Sequence, residues 1–350
     1  MKKYDALNLS KKLISEKALS HEEFVFLIDN RNDEITELLR EEAVRLRKEI
    51  YGNKVYIRGL IEISNICKND CYYCGIRKSN KNCDRYRISP EEILECCDEG
   101  YALGMRTFVM QGGEDAFFSD DTVCGIVSEI KRRHPDCAVT LSLGERSRDS
   151  YKKLYDAGAD RYLLRHETAN KEHYGMLHPQ KMSYDERIRC LYDLKEIGYQ
   201  VGCGFMVGSP FQTTENIAND LLFIKEFQPD MCGIGPFIPH KDTDFADKCA
   251  GSIELTCFLL SVIRILKPNL LLPSTTALGS LHPKGREMGI LSGANVVMPN
   301  LSPQSVRKKY ALYNNKLSDG AESAQSIEAL KNRMSQIGYE VVTDIGHISK

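Results

Sequence analysis

Hydrophobic periodicity divides the chain near residue 50. In residues 1–50 the apolar side chains recur at helical spacing among many charges, as at Phe24 and Leu27 and again at Ile35 and Leu38. Ser20, three residues before Glu23, is typical of a helix-capping box. This part of the chain therefore predicts two or three helices and no strand.

Beyond residue 50, short β-branched runs alternate with amphipathic stretches, which is the pattern of strands separated by helices. The predicted strands are Val55–Ser64, Arg106–Gly112, Ala138–Leu143, Arg161–His166, Gln200–Val207, Met231–Ile238, Leu270–Thr275 and Ala294–Met298. The clearest helices between them are predicted at Pro90–Leu103, Thr122–Arg133, Tyr184–Ile197 and Glu215–Phe227.

Eight strands with helical crossovers predict an α/β protein, a complete (β/α)8 TIM-type barrel. An open doubly wound sheet is the alternative, and the strand count and the position of the polar residues favour the barrel. Two further helices, Val306–Leu312 and Glu322–Ile337, predict a C-terminal helical cap. We therefore expect an N-terminal helical segment over residues 1–50, a barrel over 51–302 and a cap over 303–350.

Charge and hydropathy restrict the partners of this protein. The 350 residues carry a formal charge of -2, without the basic excess that nucleic-acid binding requires. No apolar run approaches the length of a membrane span, and the N-terminus lacks the apolar core of a signal peptide. We expect a cytoplasmic protein that binds neither nucleic acid nor membrane, in which the 13 cysteines are thiols or metal ligands rather than disulfides.

A cysteine-rich segment follows the first predicted strand, with Cys67, Cys71 and Cys74 close together. Three thiolates at this spacing can converge on one inorganic centre, either an iron–sulfur cluster or a tetrahedral zinc ion. A centre with three protein ligands keeps a coordination position open for catalysis. A structural zinc site that uses Cys83 as its fourth ligand is the alternative.

The CX3CX2C spacing, with an aromatic residue before the third cysteine, resembles the signature of the radical S-adenosylmethionine (SAM) superfamily. The resemblance implies that Cys67, Cys71 and Cys74 hold a 4Fe–4S cluster whose fourth iron is chelated by the amino and carboxylate groups of SAM. It also implies that Tyr73 lies beside the adenine. The Gly-Gly-Glu segment that ends at Glu114 would bind the SAM amino group.

Polar residues also stand at the ends of the other predicted strands, where a parallel barrel collects its ligand-facing groups. Strand alternation places Arg161 and Arg165 on one face, with Glu167 just beyond. A salt-bridge network is the structural interpretation. The functional interpretation is that Arg165 and Glu167 contact the cofactor, that Arg161 lies deeper in the barrel, and that Arg187 on the following helix pairs with a carboxylate.

The resemblance narrows over residues 50–315. The segments YRISPEEI, TLSLGE, ADRYLLRHETAN, GIGPFIPHKDT, PSTTALG and GANVVMPNLSP closely resemble the radical SAM maturases of FeFe-hydrogenase, the HydE family. This resemblance implies a SAM site formed by Tyr73, Gln111, Gly113, Glu114, Arg165, Glu167 and Arg187. It implies an inner cavity for anionic or sulfur-containing ligands lined by Arg161, Thr275, Thr276, Met298 and Tyr310. No cysteine follows Cys257, so we expect a single cluster.

The family implies reductive cleavage of SAM to methionine and a 5′-deoxyadenosyl radical that acts on an iron–cysteine precursor. It implies the maturases HydG and HydF as partners and an electron donor such as ferredoxin or flavodoxin. Two alternatives stay open from the residues. One is another radical SAM enzyme, of the biotin synthase and methylornithine synthase group, acting on an amino acid or a thioether. The other is a non-catalytic metal or iron–sulfur module.

Overall fold

The computed structural model describes residues 4–318 and 323–349. Three helices come first, α1 (Ala6–Glu16), α2 (His21–Asp29) and α3 (Asp33–Tyr51), as the apolar spacing predicts. The capping box at the start of α2 is also confirmed, because the Ser20 hydroxyl accepts the Glu23 N–H and the Glu23 carboxylate accepts the Ser20 N–H.

Strands and helices then alternate along the chain. The strands are β1 (Lys54–Ile57), β2 (Gly59–Ser64), β3 (Thr107–Gly112), β4 (Ala138–Ser142), β5 (Arg161–Leu163), β6 (Gln200–Cys203), β7 (Met206–Val207), β8 (Met231–Cys232), β9 (Gly235–Pro236), β10 (Val296–Val297) and β11 (Glu340–Val342). The helices are α4 (Pro90–Ala102), α5 (Asp120–Arg133), α6 (Arg148–Asp156), α7 (Lys171–Leu177), α8 (Tyr184–Ile197), α9 (Thr214–Phe227), α10 (Ile253–Leu266), α11 (Thr276–Leu281), α12 (Gly285–Leu291) and α13 (Ile327–Gln336).

The strands close into a parallel barrel, so the predicted fold class is confirmed. Six strands form one parallel sheet in the order β2-β3-β4-β5-β6-β8. Isolated bridges continue the ring from Met231 to Leu271 and from Pro273 to Val296. The ring then returns to the first strand, because β10 pairs with β1 and Asn300 pairs with Leu60. Within the described residues no helix combines the length and apolarity needed to cross a membrane.

Several predicted strands are shorter than expected or interrupted. Val55–Ser64 divides into β1 and β2 because its two halves pair with different neighbours, β10 and β3. Gln200–Val207 is interrupted at Gly204, whose φ of +153° and closeness to the Gly233 carbonyl leave no room for a Cβ. The strand predicted at Leu270–Thr275 makes only single bridges, since Pro273 has no N–H to donate to a ladder.

The C-terminal segment departs most from the prediction. The helix predicted at Val306–Leu312 is wrong, and only a 3-10 turn forms at Arg307–Lys309. The carbonyls of Lys309 and Leu312 accept hydrogen bonds from Asn65 and Gly75 of the distant cysteine-rich loop instead of from their own turn. The other predicted helix begins at Glu322, outside the described residues, and α13 confirms its body.

Residues 310–317 cross the carboxyl end of the barrel, and we call them the strap. Gly75 donates to the Leu312 carbonyl at 2.9 Å, and Asn314 donates to the Pro239 carbonyl at 3.0 Å. The Leu317 N–H donates to the Ser280 hydroxyl at 3.2 Å. The strap is therefore fastened to three separate loops around the mouth of the barrel.

Candidate functional site

A cavity of about 340 Å³ opens at the carboxyl ends of the strands, a volume within the usual range of small-molecule sites. Every residue predicted for the cluster and for SAM lines it, as does every residue predicted for the inner cavity except Arg161. These lining residues are Cys67, Cys71, Tyr73, Cys74, Gln111, Gly113, Glu114, Arg165, Glu167, Arg187, Thr275, Thr276, Met298 and Tyr310. The roles assigned to them stay predictions.

The three cysteines lie on the loop that follows β2. This loop is held against the end of β3, because the Lys68 N–H donates to the Glu114 carbonyl at 3.0 Å and the Glu114 N–H approaches the Cys67 Sγ at 3.4 Å. Asp70 anchors the loop from within by accepting hydrogen bonds from Arg77 and Ser79. The loop therefore presents its thiols from a fixed backbone. Cys83, the fourth ligand in the zinc alternative, lies outside the cavity lining and approaches the Asn65 side chain.

Burial raises the pKa of all three thiols. Desolvation is the largest cause in each case, and the pKa of Cys74 rises to about 12. The thiols of Cys67 and Cys74 add to this rise at Cys71, and those of Cys67 and Cys83 add to it at Cys74. Three partly buried thiols with raised pKa values suit a cationic centre, which would bind them as thiolates.

Gly113 allows the cysteine loop to approach β3. A Cβ at this position would lie 2.3 Å from the Ile66 carbonyl oxygen and 2.8 Å from the Cys67 Cβ. Gly144 plays the same part for Glu114, whose side chain would collide with a Cβ there. The Glu114 carboxylate accepts the Glu145 N–H at 3.1 Å and lies 3.0 Å from the Lys68 ammonium. Two glycines thus fix one carboxylate and one thiol in the same wall.

Arg165 and Glu167 stand beyond the end of β5. Glu167 has a φ of +66°, which is unusual for a residue with a Cβ and typical of strained functional positions. Its Oε2 lies 3.1 Å from the Arg165 Nη2. Within residues 4–318 and 323–349, the buried Arg165 Nε has no hydrogen-bond partner. A buried donor of this kind is costly unless a ligand accepts from it.

Arg187, on α8, is buried and already paired. Its Nε donates to the Glu145 carboxylate and its Nη1 to the Arg165 carbonyl at 2.7 Å. The carboxylate predicted as its partner is thus supplied by the protein itself. Arg187 thereby fixes the backbone that carries Arg165.

Tyr73 is oriented by a residue that the sequence patterns missed. The Tyr73 hydroxyl lies 3.1 Å from His178 Nε2, and His178 Nδ1 lies 2.9 Å from the Tyr174 carbonyl. Since a carbonyl only accepts, Nδ1 carries the proton and Nε2 accepts from Tyr73. Burial and the Arg187 charge lower the pKa of His178 to about 3, so the ring is neutral. His178 follows a short helix without a recognisable motif, and no sequence signal pointed to it.

The inner wall of the cavity is formed by β3, by the segments that follow the last strands, and by the strap. Gln111 Nε2 donates to the Tyr310 hydroxyl at 3.3 Å, which links β3 to the strap. Thr275 and Thr276 reach the wall from the start of α11, and Met298 from the segment after β10. The Thr275 hydroxyl is buried and, among the described residues, has no hydrogen-bond partner. Sequence reasoning also missed Glu62 and Lys316, which line the same cavity.

Arg161 is the predicted cavity residue that the structure places elsewhere. It is the first residue of β5, and its guanidinium donates to the Thr107 hydroxyl at 3.0 Å and to the carbonyls of Ile345 and Gly346. These partners lie at the amino end of the barrel. Arg161 begins β5, whereas Arg165 follows the end of that strand and lines the cavity, so the two side chains lie at different depths in the barrel.

The comparisons with known proteins agree with this geometry. Residues 61–224 match the radical SAM superfamily. The chain is 44% identical, over 89% of its length and 88% of the relative's, to the FeFe hydrogenase maturase subunit HydE of Thermotoga maritima. The chain belongs to the HydE family of radical SAM enzymes. The predicted family is thus confirmed.

More distant relatives share the fold of this HydE family member. The 3-methylornithine synthase of Methanosarcina barkeri is 27% identical over 95% of the chain and 93% of that protein. The crystal structure of methylornithine synthase (PylB) superposes with a TM-score of 0.80 at 24% identity, covering 95% of this chain and 97% of that one. HydG, a maturase of the FeFe-hydrogenase, gives a TM-score of 0.80 at 23% identity over 97% and 76% of the two chains. These two structures support the barrel fold alone.

HydE family membership implies a 4Fe–4S cluster and SAM, and the cavity suits both. Three partly buried thiols line one cavity, as thiolate ligation of a cluster requires. The buried Arg165 Nε offers an unsatisfied donor to an anionic group, and Glu114 and Glu167 offer carboxylates to a cationic one. The donor set therefore fits a zwitterionic cofactor beside a thiolate-bound cluster.

Proposed function

We propose that this chain cleaves SAM reductively at a single 4Fe–4S cluster held by Cys67, Cys71 and Cys74, as a step in the assembly of the FeFe-hydrogenase active site. The observation that supports this most directly is that the three thiols and the predicted SAM residues line one cavity at the carboxyl end of the barrel. The identity to a hydrogenase maturase over most of both chains supports the biological setting.

The chain's own residues would bind and orient the reactants. Tyr73, held by His178, would lie against the adenine, while Glu114 and Glu167 would receive the cationic and hydroxyl groups of SAM. Arg165 would pair with the carboxylate of SAM. When bound, the cluster and SAM supply an electron and a 5′-deoxyadenosyl radical. The buried walls and the strap would keep water away from that radical.

The substrate would occupy the inner wall, near Thr275, Thr276, Met298 and Tyr310. We propose a sulfur- or cysteine-containing iron precursor, with HydG and HydF as partner maturases and ferredoxin or flavodoxin as electron donor. The family supports these assignments. No cysteine follows Cys257, which supports a single cluster.

A cysteine variant tests the proposed function. Cys71→Ala should abolish formation of 5′-deoxyadenosine under anaerobic reduction, because two thiolates cannot hold the cluster with one iron left open. The matched control is Cys249→Ala, which removes an exposed thiol and should leave SAM cleavage unchanged. The 5′-deoxyadenosine formed is measured by chromatography, and the iron and sulfide contents of both variants are measured in parallel. The proposal would be rejected if Cys71→Ala still cleaved SAM. It would also be rejected if the spectrum of the reduced wild-type cluster did not change when SAM is added.

A further inference from the structure

A buried acid–imidazole pair lies behind the residues assigned to SAM. His166 follows Arg165 in the sequence, yet it does not line the cavity and its side chain is fully buried. Its Nε2 lies 3.1 Å from Oδ1 of Asp220 on α9, whose side chain is also fully buried. The rings of Phe205 and Phe223 pack on the imidazole, with centroids 6.0 and 4.7 Å away. The pair can therefore affect a bound cofactor only through the residues that it holds in place.

Gly204 fixes the position of the proton on His166. The Gly204 N–H donates to His166 Nδ1 at 3.3 Å, so Nδ1 accepts, and Nε2 carries the hydrogen that is donated to Asp220. The Gly204 carbonyl in turn accepts the Glu167 N–H at 3.0 Å. One glycine is thus bonded to the side chain of His166 and to the backbone of the next residue.

Asp220 holds the backbone on both sides of Glu167. Its Oδ1 accepts the Ala169 N–H at 2.6 Å in addition to the hydrogen bond from His166. The two residues that flank the turn are therefore fastened to a single oxygen atom of α9. Glu167, between them, has a φ of +66°, which is strained for a residue with a Cβ. A strained conformation of this kind persists only where the surrounding structure holds it.

Stability alone does not explain the buried pair. Within residues 4–318 and 323–349, the buried Oδ2 of Asp220 has no hydrogen-bond partner. A buried acid with an unsatisfied oxygen costs free energy, and replacing a buried ionisable pair by apolar residues is often neutral or stabilising. The cost is understandable if the hydrogen bonds of the pair position a residue that the cofactor needs.

We infer that the His166–Asp220 pair positions Glu167 for SAM, an inference that rests on the function proposed above. The pair fastens the chain before and after Glu167, so that the strained residue directs its carboxylate into the cavity. His166 and Asp220 are positioning residues, because neither lines the cavity. The hydrogen bonds to Oδ1, rather than the charge of Asp220, hold the turn.

Calorimetric titration of the anaerobically reconstituted protein with SAM tests the inference. Asp220→Leu removes both hydrogen bonds and should weaken SAM binding by at least about ten-fold. Asp220→Asn keeps an oxygen in the place of Oδ1 and puts its amide where Oδ2 has no partner, so it should bind SAM within about three-fold of wild type. Equal losses of affinity in the two variants would overturn the inference.

Asn295 supplies a matched control. It is fully buried and does not line the cavity, and its Oδ1 accepts from the Leu272 N–H at 2.9 Å and from Arg264 at 3.1 Å. Its Nδ2 has no partner among the described residues, as is true of Oδ2 in Asp220. Asn295→Leu therefore removes the same number of buried hydrogen bonds and should bind SAM within about two-fold of wild type.

A double-mutant cycle separates positioning from a general structural effect. If Asp220 acts through Glu167, then Asp220→Leu added to Glu167→Ala should change SAM affinity by less than about two-fold. A further ten-fold loss in that background would overturn the inference, as would unchanged affinity in a folded Asp220→Leu protein. Should Asp220→Leu not fold, His166→Phe combined with Asp220→Leu replaces both partners by apolar groups and carries the same expectations. Failure of the wild type to bind SAM would overturn the proposed function itself.

Discussion

At the scale of single residues, the cavity depends on close approaches that a motif identifies but does not explain. Gly113 belongs to a Gly-Gly-Glu segment that the sequence already assigned to the site. Only the structure shows that a Cβ at this position would collide with the backbone of the cysteine loop, so that a glycine is needed there. His178 shows the opposite case, because its role follows from contacts with Tyr73 and Tyr174 that no sequence pattern carries.

Gly113→Ala should leave the barrel folded but reduce its iron content. The new methyl group would meet the Ile66 carbonyl at 2.3 Å, so the loop that carries Cys67 must move. Overpacking of this kind costs about 1–3 kcal/mol. The control is Gly125→Ala within α5. Among the described residues, a Cβ there would meet no atom within 4 Å beyond its chain neighbours and the backbone of its own helix, and alanine should stabilise the helix by about 0.5–1 kcal/mol. Iron analysis after reconstitution and urea unfolding distinguish the two variants, and full iron occupancy in Gly113→Ala would contradict the expectation.

His178 should make the stability of the protein depend on pH. Burial lowers its pKa from 6.5 to about 3, so between these values the unfolded state binds a proton that the native state does not. Stability should therefore fall with decreasing pH by about 1.4 kcal/mol per pH unit from this group alone. His178→Gln should remove that slope in urea unfolding of the cluster-free protein between pH 6 and 4. The exposed His282→Gln controls for the substitution, and an equal slope in wild type and His178→Gln would refute the assignment.

At the scale of elements, the sequence correctly predicted the helices whose backbone hydrogen bonds and caps come from residues nearby in the chain. The helix Tyr184–Ile197 is confirmed at both ends, since Ser183 caps its start and Gly198 ends it in a left-handed conformation. The predicted helix Val306–Leu312 failed because its carbonyls are satisfied by a loop more than 200 residues away in sequence. Sequence reasoning missed Lys316 because the strap has no hydrophobic periodicity, and it missed Glu62 because no motif marks this position within β2.

Asn65→Ala should loosen the strap and the cysteine loop together. The buried Asn65 side-chain amide donates to the carbonyls of Asp84 and of Lys309, the residue that precedes the strap, both at 2.8 Å. The side-chain oxygen of Asn65 accepts the Tyr86 N–H. Removing a side chain that satisfies three backbone groups should lower the free energy of unfolding by about 1–3 kcal/mol. Asn30→Ala removes one exposed hydrogen bond to the Phe26 carbonyl and should lie within about 0.5 kcal/mol of wild type. Equal urea midpoints for the two variants would show that Asn65 does not fasten the strap.

At the scale of the whole molecule, the two ends of the barrel carry different tasks. The carboxyl end holds the thiols, the charged wall and the strap, whereas residues 345–347 approach the amino end, where the buried Arg161 donates to their backbone. Barrel enzymes generally separate function and stability in this way. The family resemblance placed Arg161 in the inner cavity, and alternation could not correct this because it reports the face of a strand and not the depth along it.

Two arginines four residues apart should therefore give opposite phenotypes. Arg161→Met leaves the Gly346 carbonyl and the Thr107 hydroxyl without this donor and leaves the Ile345 carbonyl with the Thr107 hydroxyl alone. It should lower the free energy of unfolding by about 2–4 kcal/mol. SAM affinity should stay within about two-fold, because the guanidinium lies at the far end of the barrel. Arg165→Met removes an Nε donor that the described residues leave unsatisfied, together with the ion-pair partner of Glu167. It should therefore cost less stability than Arg161→Met and weaken SAM binding by at least about ten-fold. Urea unfolding and SAM calorimetry on both variants decide the matter. Loss of SAM binding in a stably folded Arg161→Met protein would show that Arg161 does act in the cavity. Unchanged SAM binding by Arg165→Met would show that Arg165 does not belong to the cofactor site.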